Sequence, residues 1–456
     1  MGLAPEESER LLFEELRIPS ISALPEHASD VRRNAQWLAE LLGGHGFRVE
    51  LVSNGGGPHP VVVAERLEAP GAPTLTVYGH YDVQPPDPLE EWESPPFEPA
   101  VRAGVVYARG AADSKGQHMA WIAAAIGERL PVNLRFLIEG EEESGGKSLP
   151  VLLHERAADL RTDYVVVGDA VFSPNGLPAL VTGLRGLLYA EIEAFGPAVD
   201  LHSGLFGGVA PNPFHGLVHL LASMKDREGR ITIDGFLDDV AAPSAEELRS
   251  WERLGDADAQ VERVQGAPLT GDPGQPPLHR RWALPTLDIH GLPGGFTGSG
   301  SKTVIPARAL AKLSFRLAPD QHPDRVEALL REHVRKHAMP GVRFEVRTIG
   351  RAVPVSLGSD HPGLNAMRRA FVEGFGEEPV LAREGFTIPV THDFMEALGA
   401  HVLVTGFVPW DAAPHSPNEH LPLDFYHRGI ATASAFMRNL ATSAEGTQVP
   451  PADPPS

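Results

Sequence analysis

The chain contains no cysteine. A disulfide framework and thiolate metal ligands are both excluded, so any metal has to be held by histidine, aspartate and glutamate. Basic charge is also scarce: Lys and Arg total 39 against 60 Asp and Glu, a formal net charge of −21. Such a surface disfavours nucleic acid and anionic membranes, and no basic block offsets it. No apolar run approaches the ~20 residues of a membrane-spanning helix. The opening residues, MGLAPEESERLLFEEL, lack the basic-then-apolar pattern of a secretory signal, and Glu6 breaks the myristoylation pattern. No repeat period of roughly 20–50 residues is present. The expectation is a soluble cytoplasmic protein that binds neither nucleic acid nor membrane. Bound cations would neutralise part of the excess carboxylate.

What is present suffices for a sizeable core: 456 residues, 42% of them hydrophobic, a length at which more than one domain is expected. Two helices are predicted in the first fifty residues. The second begins near Ser29-Asp30 and stops at Gly43-Gly44. Strands follow around Phe47–Val52 and Pro60–Arg66. A pattern then recurs, in which a short apolar run ends in polar residues. Leu75–Tyr78 leads to His80 and Asp82, Leu134–Ile138 to Glu139, Glu141, Glu142 and Glu143, and Tyr164–Val167 to Asp169. His401–Thr405 leads through a loop to Asp411, His415 and Glu419. An amphipathic helix carrying Met119, Ile122, Ile126 and Leu130 lies between the first two runs.

Apolar strands alternating with helices predict an α/β fold, a mostly parallel sheet covered on both faces. Ligands of such sheets bind at the carboxyl ends of the strands, so the polar clusters are expected along one edge. Residues ~184–350 instead read as a strand-rich, inserted α+β domain, with a loop-like stretch near Asp256–Pro277. Its expected strands include Leu187–Glu193, Ala309–Arg316 and Arg343–Arg347, and its helices Pro213–Ser223 and Pro323–Lys336. The Pro-rich tail, 446–456, is expected to be disordered.

Each cluster has a plain structural explanation by itself. His80 and Asp82 fit a polar turn, Asp113 a helix N-cap, Glu141–Glu143 a solvated loop, Asp169 a strand-end turn, and His415 a loop held by Pro414 and Pro417. Convergence on one edge gives them a joint reading. His80, Asp113, Glu143, Asp169 and His415 form an all-nitrogen-and-oxygen ligand set for two divalent cations sharing Asp113, suited to Zn²⁺ and nearly as well to Mn²⁺ or Co²⁺. One glutamate of the acidic run would bind metal while its neighbour takes a proton from water.

Seven ordered segments, GHYDVQP, RGAADSKGQ, EGEEESGG, VVVGDA, DLHSGLFGG, SGSKTVIPAR and PHSPNE, resemble the motifs of the two-metal peptidase superfamily that includes cytosolic non-specific dipeptidases, carnosine dipeptidases, acetylornithine deacetylase and succinyl-diaminopimelate desuccinylase. The resemblance covers nearly the whole chain and is closest to the dipeptidase branch. It implies a catalytic domain in two parts, 1–183 and 351–445, around a lid and dimerisation domain at 184–350. It implies one metal on His80, Asp113 and Asp169 and another on Asp113, Glu143 and His415, with Asp82 orienting His80. Glu142 would be the general base, leaving Glu141 as an extra, solvent-facing carboxylate. A cis peptide is implied at Asp113–Ser114.

His202 would reach the partner subunit's site of a homodimer and stabilise an oxyanion. Thr303, Arg316 and Thr387 would contact substrate, Arg316 clamping a free α-carboxylate. Thr387 stands in Gly385-Phe386-Thr387-Ile388-Pro389, where the family often has Gly-Gly-Ser-Ile-Pro. The implied activity is metal-dependent hydrolysis of dipeptides. The alternatives are an N-acyl amino acid deacylase or desuccinylase and a non-catalytic homologue.

Overall fold

The computed structural model describes residues 3–255, 257–358, 361–385 and 388–444. Phe386, Thr387 and the tail beyond residue 444 lie outside the described residues.

Nine strands make the central sheet among these residues. Its middle is parallel: Asn133–Glu139, Thr74–His80, Tyr164–Gly168 and His401–Thr405 lie side by side and run the same way. Each is buried along almost its whole length, which explains the near-continuous apolar runs. The flanks are mixed. Arg48–Val52 and Val61–Arg66 add antiparallel on one side, and Ala179–Leu184 runs antiparallel to His401–Thr405 on the other. Val380–Glu384 and Val355–Ser356 complete that side. The sheet is therefore mixed, with its run of four adjacent parallel strands where the polar clusters emerge.

The helix Lys115–Gly127 is buried on all sides from Lys115 to Ala125, and Leu130 lies beyond its end. It is a core helix rather than an amphipathic one. Together with Leu423–Ala444 it builds the larger core, in which Trp121 packs against Phe407 and edge-on against Phe436. Its N-terminus abuts the carboxyl ends of the parallel strands, which brings the Asp113 loop to them.

A second, four-stranded antiparallel sheet runs in the order Thr286–Gly291, Arg308–Leu317, Gly186–Phe195, Arg343–Ala352. Pro213–Met224 and Pro323–Lys336 cover one face, burying Leu217, Leu220, Leu330 and Val334 against Leu188, Ile192, Leu313 and Phe315. The other face carries charged pairs such as Lys312 with Glu191 at 3.1 Å. The stretch expected to be loop-like contains the helix Ala257–Gln265, and the helix Pro277–Trp282 begins where it ends. With Ala245–Trp251, part of this segment returns to the central sheet. Trp251 and Trp282 pack on Val380 and Ala382, and the Trp251 indole donates to the Leu381 carbonyl at 2.7 Å. Charged residues interrupt the apolar spacing of these short helices, so the periodicity that reveals longer ones is faint. Among the described residues no helix is long and apolar enough to cross a membrane.

Candidate active site

Four parallel strands deliver the site to one edge of the sheet. His80 is the last residue of its strand, and Asp169 immediately follows Gly168. Asp113 sits just before the Lys115–Gly127 helix, and the Asp113–Ser114 peptide is cis. Glu142 and Glu143 occupy a single 3-10 turn ended by Gly145 and Gly146, both at positive φ, which lets the chain reverse with its carboxylates facing the strand ends. His415 stands in a loop where Ala413, His415 and Asn418 all adopt left-handed backbone conformations, rare for residues with a Cβ.

These side chains converge. His80 Nε2 lies 3.0 Å from Asp113 Oδ1 and 3.6 Å from Asp169 Oδ2. His415 Nε2 lies 2.9 Å from Asp113 Oδ2 and 3.4 Å from Glu143 Oε1. Asp113 thus turns one oxygen to each histidine. Two triads, His80–Asp113–Asp169 and Asp113–Glu143–His415, each bring their ligand atoms within 4.8 Å of one another. Asp113, Asp169 and His415, with Glu142, Gln117, Ile388 and Val408, line a cavity of about 310 Å³.

The electrostatics favour cations. Burial alone would lower the His80 pKa, but the carboxylates of Asp113, Asp169 and Asp82 around it hold it well above its ordinary value. His415 is pushed up to about 10, chiefly by Asp113 and Glu143. Burial tends to raise Asp113, yet the two histidines hold it below the usual carboxylate range. Asp169 is pushed up to about 6 by burial and by the charge of Asp113. The field binds positive charge strongly. With neutral imidazoles, the carboxylates of Asp82, Asp113, Glu143 and Asp169 match the charge of two divalent cations. His80 Nε2 and Glu143 Oε1 are buried without a hydrogen bond, as ligand atoms aimed at a cation would be. The residues present therefore fit a pair of divalent ions.

Around the triads the supports are specific. The His80 Nδ1 is 3.1 Å from the Asp82 backbone carbonyl and 3.5 Å from the Asp82 carboxylate, so main chain and side chain of Asp82 both face it. Glu142 is pushed up to about 8, mainly by burial, with Asp169, Glu143 and Asp113 adding to the effect and His80 opposing it.

Glu141 corrects an expectation. It is only 3% exposed, and its carboxylate accepts from His59 N at 2.8 Å, Ser148 N at 3.1 Å and Ser148 Oγ at 3.0 Å. It holds the start of the helix Ser148–Glu155 against the 54–60 loop, because helix N-termini leave N–H groups that need acceptors. Glu141→Ala is expected to lower unfolding stability by about 2–4 kcal/mol, read as a shift in urea midpoint, since it strands several buried donors.

Glu419 and Gln84, quoted within motifs but given no role, also matter. Glu419 is fully buried and accepts from Arg109 Nη1 at 2.6 Å and from the backbone N–H groups of Gly110, Ala112 and Asp113 at 2.8–3.0 Å, clamping the Asp113 loop. His202 and Thr303 neighbour each other on the inserted unit, where Ser203 N donates to the Thr303 carbonyl at 3.1 Å. Both are exposed, and neither lines the cavity. Arg316 is half-buried, opposite Leu187 and Thr286, and feels the charge of Asp288. Its charge and that of Arg281 bear in turn on Arg185, a buried arginine that no motif flagged.

The profile of peptidase family M20/M25/M40 matches residues 76–439. The chain belongs to that family. Among its relatives, Cys-Gly metallodipeptidase dug1 of Schizosaccharomyces pombe is 34% identical, the match covering 84% of this chain and 83% of that protein. The crystal structure of human carnosine dipeptidase 1 is 31% identical with a TM-score of 0.80, covering 96% of each chain. The M20 family metallo-carboxypeptidase Sso-CP2 of Sulfolobus solfataricus is 32% identical with a TM-score of 0.83, over 96% of this chain and 99% of that one. The M20 membership, the mixed α/β fold and the pair of metal-competent triads agree with one another.

Proposed function

We propose that this M20-family chain is a dinuclear metallopeptidase that hydrolyses dipeptides. The observation that carries the reading is the division of Asp113 between two histidine–carboxylate groups, with Glu142 opening onto the same cavity. His80, Asp113 and Asp169 would hold one divalent cation, and Asp113, Glu143 and His415 the other. Zn²⁺ suits the donor set best, with Mn²⁺ or Co²⁺ next. Bound there, two divalent cations supply Lewis acidity and bring the pKa of water towards neutrality.

The chain's own residues do the rest. Glu142, its pKa raised towards the working pH, takes the proton of the attacking water and returns it to the leaving amine. Asp82 orients His80. Arg316 clamps the free α-carboxylate of the substrate, and Thr303 and Thr387 contact it. His202 stabilises the oxyanion in the partner's site of a homodimer formed through the 184–350 domain. Exposed apolar residues beside His202, among them Leu205 at 76% and Val209 at 81% exposure, support such an interface. The acidic, cysteine-free composition supports a cytoplasmic location.

The test is a substrate panel of Cys-Gly, β-Ala-His and other dipeptides, N-acetyl and N-succinyl amino acids, and longer peptides. Free dipeptides are expected to give the highest kcat/KM. Preference for acylated amino acids would make the chain a deacylase. Stepwise loss of C-terminal residues from long peptides would make it a carboxypeptidase, the activity named for Sso-CP2. Arg316→Ala should raise KM for free dipeptides roughly 10–100-fold, the worth of charge-assisted hydrogen bonds. Their C-terminal amides should be unaffected, and equal effects on both would remove the clamp.

A further inference from the structure

Glu143 offers two carboxylate oxygens, and the structure treats them differently. Oε1 is buried, makes no hydrogen bond, and lies 3.4 Å from His415 Nε2. Oε2 accepts from the Gln84 side-chain amide at 2.7 Å. An ionised carboxylate can only accept, so the amide must present its NH₂ to it. The Glu143 backbone N–H is held as well, donating at 3.1 Å to Asp82 Oδ2, which also takes the Ser22 hydroxyl at 2.6 Å. Gln84 has a firm base of its own. The preceding Val83 pairs with Ile21, and its N–H donates to the Ser20 carbonyl at 3.0 Å. The strap Ser20–Ser22 therefore fixes the segment from which Gln84 reaches out.

We propose that Gln84 is a positioning residue for the second cation: by occupying Glu143 Oε2 it leaves Oε1 as the single oxygen presented to the group formed with Asp113 and His415. The inference rests on the two-cation reading and adds to it a residue outside the ligand set. It also explains why a glutamine follows His80 and Asp82 in GHYDVQP. Alternate residues of an extended segment face the same way, so His80, Asp82 and Gln84 address one site in sequence: a ligand, the carboxylate beside it, and the donor that sets the next ligand.

The test is titration of the metal-free full-length protein with Zn²⁺ against a competing chromophoric chelator. Melting of the metal-free forms is measured in parallel. Gln84→Met keeps the length of the side chain and removes the donor, while Gln84→Glu replaces the donor with a like charge. Wild type is expected to bind two equivalents. In both variants one equivalent should weaken about 10–100-fold, the usual cost of losing a hydrogen bond to a ligand, while the other keeps its affinity and the metal-free melting temperature is unchanged. Introduced alongside Glu143→Gln, the Gln84→Met change should have no further effect. Two wild-type affinities in both variants would overturn the proposal. So would a parallel fall of both affinities with a lower melting temperature, which would assign Gln84 to folding. Failure of the wild type to bind any Zn²⁺ would instead overturn the two-cation reading beneath it.

Discussion

Glu142→Gln is expected to lower kcat for dipeptide hydrolysis by about 10²–10⁴-fold, the usual contribution of a general base, with both cations still bound. Glutamine keeps the shape of the side chain and its place in the turn Glu142–Ser144 but cannot take a proton. Glu142 belongs to neither triad, so the variant should retain the wild-type metal content. Its burial explains both halves of the role. Desolvation pushes the carboxyl up, a direction that helps it accept a proton and hold it until the amine leaves. Metal content by elemental analysis beside steady-state kinetics checks the prediction. Normal turnover with normal metal would take Glu142 out of the mechanism.

Asp113→Ala should have the larger effect on metal, because it removes a ligand from both groups at once. Both cations are expected to be lost under conditions where His415→Ala still retains one. Activity should fall by at least about 10³-fold, since the Lewis-acid and water-activating roles go together. The fold should survive. The loop is clamped by Glu419 through the backbone N–H groups of Gly110, Ala112 and Asp113, which do not depend on the Asp113 side chain. Circular dichroism of the wild-type kind with no bound metal is the expected result. Retention of one cation would mean that Asp113 belongs to a single group.

Much of this site is legible in the sequence because buried parallel strands leave little room for polar residues. Where Tyr164–Gly168 or Thr74–His80 ends and Asp169 or Asp82 follows, the change of chemistry marks the sheet edge, and parallel neighbours put those marks together. Roles set by distant partners are not legible in that way. Glu141 looks like its two neighbours in an acidic run. Only the approach of His59, 82 residues away, makes it a buried cap rather than a solvated charge. Glu419 was visible as a polar residue near His415, but its function depends on backbone N–H groups some 300 residues earlier, and side-chain patterns carry no record of those. The return of Trp251 and Trp282 to the central sheet is hidden for a similar reason. Short helices with few apolar positions reveal their buried faces only once Val380 and Ala382 are beside them.

The most direct measurement is a crystal structure of the Zn²⁺-loaded protein with anomalous difference maps at the zinc edge. Two peaks are predicted on either side of Asp113, one against each of its oxygens, about 3.5–4 Å apart. One should touch His80 and Asp169, the other Glu143 and His415. A single peak, or peaks that leave Asp113 bare, would contradict the account.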